Sequence, residues 1–159
     1  MSEFADFAPL TDAIDDLTGA LEPGERRKLA SRVGTRLRSA NAKRIKANIT
    51  PDGEPMAPRK EKPKRKRRGG VRESKPPRMF QSAGTPRFLR KQASADQIEV
   101  GFAGAMARIM RVHQFGLRDS VTRDPASPTV TYEARPTIGL TPDDRLDLLG
   151  QVTDHLATR

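Results

Sequence analysis

The stretch from Gln97 to Gly116, QIEVGFAGAMARIMRVHQFG, changes its hydrophobic period, and that change decides the fold. In its first part, Ile98, Val100 and Phe102 alternate with polar residues or glycine. This is the period of a strand that buries one face and leaves the other in water. The stretch therefore predicts a short strand, followed after a glycine turn by an element of different spacing.

The second part of the stretch has the spacing of a helix. Its predicted buried stripe, at positions i, i+3, i+4 and i+7, consists of Met106, Ile109, Met110 and His113. Arg108 and Arg111 fall on the opposite side and are expected to point into solvent. Gly116 follows where a left-handed C-terminal cap would stand. A strand and a helix this short cannot form a core alone, so the flanking chain must supply the other layer.

Two helices are predicted before this stretch. Residues 4–21 combine apolar residues at helical spacing with an aspartate-rich opposite side. A second, strongly basic helix is predicted to start near Pro23, a residue favoured at the first helical position, and to end near Asn48. Its apolar positions are Leu29, Val33, Leu37, Ala40, Ile45 and Ile49. Because one helix is acidic and the other basic, they are expected to pair as an antiparallel hairpin.

A last helix is predicted near the end of the chain. Thr141 is a suitable N-cap, Pro142 suits the first helical position, and Asp143 and Asp144 suit the positive end of the helix dipole. Its predicted apolar stripe consists of Leu146, Leu149, Val152 and Leu156.

The remaining segments complete an α+β fold. Thr50–Gly53 has the chemistry of a β-turn, and Met79, Phe80, Phe88 and Leu89 are expected to return the chain to the core. Residues 117–128 are interpreted as a polar excursion. The β-prone residues 129–132, TVTY, are expected to pair with the Ile98–Phe102 strand. The prediction is a single domain over residues 1–159, with an N-terminal helical hairpin, a small antiparallel sheet, a short central helix and a C-terminal helix.

Residues 55–78 are predicted to form a long basic arm. They carry five prolines and no apolar periodicity, and residues 59–91 hold fourteen lysines and arginines against two glutamates, within a chain of net charge +10. The densest run is Lys64, Arg65, Lys66, Arg67 and Arg68. Three interpretations stay open: a solvated run, a nucleic-acid contact, and docking on an acidic face of a neighbouring subunit. No aromatic residue interleaves with the run, which disfavours recognition of single strands by stacking.

Four stretches in order resemble one protein family. These are RIKANITPDGEPMAPRK, MFQSAGTPRFLRK, ARIMRVHQFGLRD and ARPTIGLTPDD, and they extend with the final helix over roughly residues 40–156. The chain thereby resembles the virion morphogenesis, or tail-completion, proteins of contractile-tailed phages. The residues that the resemblance marks as a structural motif are His113, Gln114, Phe115, Gly116, Arg135, Pro136, Gly139 and Leu140.

The resemblance implies a structural protein of the virion, located in the tail or neck and in the host cytoplasm during assembly. It would form a ring, a hexamer to match a tail tube, that completes the tail and enables joining of the head. Its partners would be tail tube or sheath proteins and neck or connector proteins, with DNA in the lumen as a further contact. Two alternatives stay open: a basic nucleic-acid-binding accessory protein, and a head-side connector subunit.

Composition argues against several other classes of protein. There is no cysteine, and the two histidines, His113 and His155, are too far apart in sequence to suggest a zinc site. Asp143, Asp144 and Asp147 could form an acidic cluster, but carboxylates at a helix N-terminus are the commoner explanation for such residues.

The sequence contains no nucleophile elbow and no phosphate-binding glycine loop. We therefore expect no enzymatic activity, no cofactor and no metal. Without a long apolar run or a signal-peptide pattern, no membrane association is expected.

Overall fold

The computed structural model describes residues 21–58, 79–80, 82–122 and 124–158. Within these ranges it contains three helices and two two-stranded sheets, which confirms the α+β class. The helices are α1 (Pro23–Ala47), α2 (Ala105–Phe115) and α3 (Pro142–Ala157). The strands are β1 (Leu89–Ala93), β2 (Ile98–Phe102), β3 (Arg118–Ser120) and β4 (Thr129–Thr131).

The described residues group into two compact units. The first contains residues 21–40, 90–101 and 140–158, and the second contains residues 41–58, 79–80, 82–89, 102–122 and 124–139. The single domain proposed for residues 1–159 stays a prediction. The acidic helix predicted over residues 4–21 lies outside the described residues except for Leu21, and so does the basic arm from residue 59 to residue 78.

The first unit has its core between α1 and α3. Its buried cluster consists of Leu21, Leu29, Val33, Leu148 and Val152, with Leu140 and Leu156 packed against it. The predicted stripe of α3 is partly wrong, because Leu146 is 69% exposed and Leu148 is buried instead. Leucines at 146, 148 and 149 allow two helical phases, and only packing against α1 selects between them.

The start of α3 is as predicted. The Thr141 hydroxyl accepts a hydrogen bond from the Asp144 main-chain N–H at 3.0 Å, and the Asp144 carboxylate accepts one from the Thr141 N–H at 3.0 Å. This reciprocal capping box satisfies two main-chain donors at the helix start. Pro142 occupies the first turn, as the sequence indicates.

Strands β1 and β2 form a hairpin closed by a tight turn, in which the Ser94 N–H donates to the Gln97 carbonyl at 2.8 Å. Strand β2 has the predicted bounds, but its burial is weaker than the alternation suggests, since Ile98 remains 38% exposed. In the first unit, Lys91 of β1 donates from Nζ to the Ser31 carbonyl and hydroxyl oxygens, each at 2.7 Å. These bonds fix β1 against α1.

The predicted pairing of residues 129–132 with the Ile98–Phe102 strand is wrong. Strand β4 pairs antiparallel with β3, with Asp119 opposite Val130, so residues 117–128 are more than a polar excursion. A local hairpin needs only a short connection, which costs less chain entropy than a distant partner. The Arg118 guanidinium also donates to the Thr129 hydroxyl across the hairpin, at 2.9 and 3.1 Å.

Helix α1 begins and ends where the sequence predicts. Asn48 follows it with a left-handed φ of 62°, and the Gly53 N–H donates to the Thr50 carbonyl at 3.0 Å, which confirms the predicted turn. Of its predicted apolar positions, Leu29, Val33 and Ile45 are buried, whereas Ile49 is exposed. Ile49 lies beyond the helix end, so helical periodicity no longer determines its direction.

The stripe of α2 is also partly different from the prediction. Met110 is fully buried and Met106 and His113 are half-buried, but Ile109 is 49% exposed. Val112 is buried instead, in a region that it shares with Leu117 and the first residues of β3. The residues after Gly116 thus cover a second side of α2, and the helical spacing of apolar residues does not predict this contact.

None of the helices in the described ranges is long and apolar enough to span a membrane.

Candidate functional site

The candidate site is built on the turn that ends α2. Gly116 has φ 64° and ψ 39°, and its N–H donates to the Val112 carbonyl, which confirms the predicted left-handed cap. A Cβ at this position would lie 3.2 Å from atoms of Tyr132 and Ala134. Glycine is therefore required here both by backbone conformation and by the close approach of residues 132–134.

Gln114 attaches the end of α2 to the segment that precedes α3. Its side-chain Oε1 accepts from the N–H groups of Thr137 and Ile138 at 2.8 and 3.2 Å, and from the Thr137 hydroxyl at 3.1 Å. Its Nε2 donates to the Ile138 carbonyl at 3.0 Å. One amide side chain thus satisfies several polar groups of a segment that pairs with no strand among the described residues, and these bonds allow Thr137 to be fully buried.

Gly139 continues this arrangement toward the second half of α1. Its N–H donates to the side-chain oxygen of the fully buried Asn41 at 3.0 Å, and its carbonyl accepts from Arg44 at 3.0 Å. Arg44 also donates to the same Asn41 oxygen at 3.0 Å. A Cβ on Gly139 would lie 2.7 Å from the Pro51 ring, so the segment can approach this closely only with glycine.

Arg135 is the most highly connected of the predicted motif residues. It is only 6% exposed, and its guanidinium donates to the carbonyls of Ala57 and Pro58 at 2.9 and 3.3 Å. It donates as well to the carbonyl of Glu133 at 3.2 Å and to its carboxylate at 3.0 Å. A buried guanidinium needs such partners, because an unsatisfied buried charge is very costly. Arg135 therefore fixes Ala57 and Pro58, which belong to the first, described part of the predicted basic arm.

The His113 ring lies between two aromatic rings. Its centroid is 4.9 Å from that of Phe80 and 5.1 Å from that of Tyr132, both edge-to-face. Burial, together with the positive charge of Arg135, lowers the pKa of His113 below its ordinary value. Because Phe80 follows the arm and Pro58 belongs to its first part, His113 and Arg135 contact described residues near both of its ends.

Phe115 differs from its neighbours in the motif, since its ring is 53% exposed. Residues on both sides of Phe115 in sequence line a hollow of about 440 Å³. Its apolar lining residues are Ala107, Val112 and Leu117, and its arginines are Arg108, Arg111 and Arg118. Asp119, which also lines the hollow, accepts two hydrogen bonds from Arg108, one of them at 3.1 Å, and this contact lowers its pKa.

The structure brings together most of the motif that the resemblance marked. His113, Gln114, Gly116, Arg135 and Gly139 lie in one hydrogen-bonded or packed region of the second unit. Pro136 is half-buried within the same segment, whereas Leu140 packs on the core of the first unit. The five predicted contact residues from Lys64 to Arg68 lie outside the described residues. Their role stays a prediction.

Sequence reasoning missed Asn41, Thr137 and the aromatic pair around His113. Asn41 had a detectable signal, because it lies four residues before Ile45 in the apolar phase of a basic helix. A polar residue at such a position must find a buried partner. Thr137 had no comparable signal, since its burial depends on the distant side chain of Gln114.

Two of the acidic residues of α3, Asp144 and Asp147, have individual partners. Asp144 belongs to the capping box, and Asp147 accepts two hydrogen bonds from Arg36, at 2.9 and 3.2 Å, and one from Gln151. The contact with Arg36 lowers the pKa of Asp147. Across the described ranges, no three His, Asp or Glu side chains are grouped so that they could hold a metal ion.

The contacts of His113, Gln114, Arg135 and Gly139 are those of a small α+β structural protein, because they fix main-chain segments in place. The sequence matches the model of the phage virion morphogenesis family over residues 5–157. The chain therefore belongs to that family. It is 37% identical over 145 residues to tail completion protein S of Escherichia phage P2, an alignment that covers 91% of each chain. No solved structure matches the chain significantly.

Proposed function

We propose that this protein is a structural component of a phage tail, which it completes. The observation that carries the proposal is the similarity to a tail completion protein over 91% of both chains. The structure supports it, because the motif residues form hydrogen bonds to main-chain groups and hold Ala57, Pro58 and Phe80 around the buried Arg135 and the half-buried His113. Such a site positions segments of chain for assembly.

The finer proposal is a ring at the head-proximal end of the tail. A closed ring of heterologous contacts ends the growth of a tube and presents a new surface to which a head can attach. Six copies would match a tail tube with sixfold symmetry. The protein would then reside in the tail or neck of the virion, after assembly in the host cytoplasm, and would act without cofactor or catalysis.

The test is removal of the protein from the phage or prophage that encodes it. We expect separate heads and tails, or tails of abnormal length, by electron microscopy of the lysate. Expression of the wild-type chain from a plasmid should restore infectious particles. Normal yields of full-length, infectious particles without the protein would contradict the proposal.

The proposed role of the basic run, Lys64 to Arg68, is to dock on an acidic face of a neighbouring subunit or to line the ring lumen. Single exposed ion pairs contribute little, so such docking needs several contacts held together by the ring. Replacing all five residues by serine should leave the chain folded but impair ring closure or the joining of heads to tails. The matched control replaces five exposed basic residues of α1 by serine: Arg27, Lys28, Arg32, Lys43 and Lys46.

The same variant distinguishes the nucleic-acid alternative, which the net charge of +10 favours. If the run binds free duplex DNA, about five released counterions should give a log–log salt slope of roughly −4 to −5. Docking on protein predicts weak binding to free DNA and normal assembly in its absence. Tight, salt-sensitive binding that the five substitutions abolish would make nucleic-acid binding the leading function. Normal infectivity of the five-serine variant would exclude the docking role.

A further inference from the structure

Phe115 is the residue of the His113–Gly116 turn whose side chain is largely exposed. The side chains of His113 and Gln114 and the backbone of Gly116 all have specific contacts, whereas the Phe115 ring is 53% exposed. A large exposed aromatic ring beside arginines is typical of the energetically important centre of a protein interface. This suggests a contact outside the chain.

The surface around Phe115 is basic. Arg108, Arg111 and Phe115 are exposed and occupy positions i, i+3 and i+7, one side of α2. Leu117, which is 36% exposed, lines the neighbouring hollow. We call these four residues the arginine patch. Arg108 is paired with Asp119, but Arg111 has no ion pair or hydrogen bond within the described part of the chain. The patch therefore favours an acidic partner with apolar side chains.

The exposed side of α3 has this complementary chemistry. Asp143, Leu146, Gly150 and Asp154 are all exposed and follow one another at helical spacing, i, i+3, i+7 and i+11. We call these four residues the aspartate patch. Leu146 is 69% exposed, and neither Asp143 nor Asp154 has a hydrogen-bond or ion-pair partner from its side chain among the described residues. Gly150 costs a helix about 1 kcal/mol relative to alanine, and no neighbour within 4 Å of a Cβ built there requires it.

We propose that the arginine patch of one copy binds the aspartate patch of a second copy. The proposal rests on the ring described above and names its contact. Because the two patches differ, the contact is heterologous and leaves one patch free on each member of a pair, which is the condition for a ring or a filament. Each arginine and aspartate would then meet an opposite charge, and two exposed apolar residues would become buried.

The shapes of the two patches agree with this assignment. Leu146 is 69% exposed on α3, and the hollow is lined by apolar residues together with Arg108, Arg111 and Arg118. In the proposed contact, Leu146 enters the hollow and packs on its apolar residues, while Asp143 and Asp154 meet its arginines. Gly150 leaves a flat area on α3, against which the Phe115 ring can lie. Alanine at Phe115 or Leu146 should weaken association at least about tenfold, as is usual for central interface residues.

Cross-linking tests the heterologous arrangement directly, since the natural chain has no cysteine. Phe115→Cys and Gly150→Cys, the two positions that the proposal places against each other, are prepared as separate full-length variants. They are oxidised alone and as a mixture, at protein concentrations more than about tenfold above those at which the wild-type chain associates, because Phe115→Cys weakens the contact. We expect disulfide-linked dimers only in the mixture. Ile109→Cys, on another side of α2 and 49% exposed, replaces Phe115→Cys as the matched control and should give none. Dimers from either variant alone, or no dimers in the mixture, would overturn the proposal.

Charge reversal supplies the second test, with sedimentation and infectivity as readouts. Arg111→Glu should reduce self-association, and so should Asp143→Lys combined with Asp154→Lys; mixing the two variant proteins should restore it. If the mixture does not associate, or the wild-type chain is monomeric at every soluble concentration, the assigned contact is wrong. The proposed function would still stand if deletion of the gene prevents tail completion, so the two failures are distinguishable.

Discussion

The main-chain N–H of Arg135 donates to the carbonyl of His113 at 2.6 Å, and the Arg135 guanidinium lies 3.5 Å from His113 Nδ1. Two motifs separated by 22 residues in sequence are therefore joined through both main chain and side chain. The cation beside the imidazole disfavours protonation of the ring, whereas the neutral ring can accept from the guanidinium. This relationship makes His113 and Arg135 the centre of the candidate site.

Replacing Arg135 by methionine should destabilise the fold by about 2 to 4 kcal/mol, because the carbonyls of Ala57, Pro58 and Glu133 lose their donor. Urea denaturation followed by circular dichroism measures this change. Arg32→Met, at an exposed arginine of α1, is the control and should change the free energy of unfolding by less than about 0.5 kcal/mol. An equal, small effect of both substitutions would show that the Arg135 contacts do not contribute to stability.

Replacing Gln114 by methionine should cost about 2 to 4 kcal/mol, because the main-chain groups of Thr137 and Ile138 lose their hydrogen-bond partner away from water. Hydrogen exchange gives a local measurement: the amides of residues 137 and 138 should exchange faster than in the wild type. Gln92→Met, at an exposed position of β1, is the control and should leave both amides unchanged. Unaltered exchange in the Gln114 variant would contradict the assigned contact.

Gly116→Val should destabilise the protein by roughly 1 to 3 kcal/mol, since a β-branched residue is strained at a φ of 64°. The new side chain would also meet Ala134 and the Tyr132 carbonyl at 3.2 Å. Thermal unfolding tests the prediction, and Gly24→Ala is its control. Because Gly24 lies in α1 and a Cβ built there has no neighbour within 4 Å, that change should be neutral or stabilising. A Gly116 variant with an unchanged melting temperature would show that the cap tolerates side chains.

The lowered pKa of His113 predicts a pH dependence of stability. Between the folded and the unfolded pKa, the unfolded chain binds more protons, so the free energy of unfolding falls as pH decreases from the ordinary value of 6.5 toward the lower folded value. The stabilisation is fully present above pH 6.5 and is lost on acidification. His113→Gln should reduce this dependence, measured by denaturation between about pH 8 and pH 5.

His155 remains in both proteins, so the difference between their curves reports on His113 alone. Parallel curves for the wild type and the His113→Gln variant would show that folding does not change the protonation of this ring.

Local chemistry was readable from the sequence. The bounds of β2, the left-handed cap at Gly116, the N-cap at Thr141 and the turn at Thr50–Gly53 depend on residues close together in the chain. The resemblance that placed the chain in its family likewise used contiguous stretches. For such features, the residue types at a few adjacent positions determine which backbone conformation has the lowest free energy.

The partner of β4, the burial of Leu148 rather than Leu146, and the exposure of Ile109 were decided only by the tertiary structure. For the leucines of α3 and for Ile109, the sequence permits two helical phases of similar local energy. For β4, it permits two strand partners. Long-range packing and chain closure select one of them. The same holds for Arg135, whose charge is readable in the sequence, while its buried position depends on carbonyl groups 77 and 78 residues away.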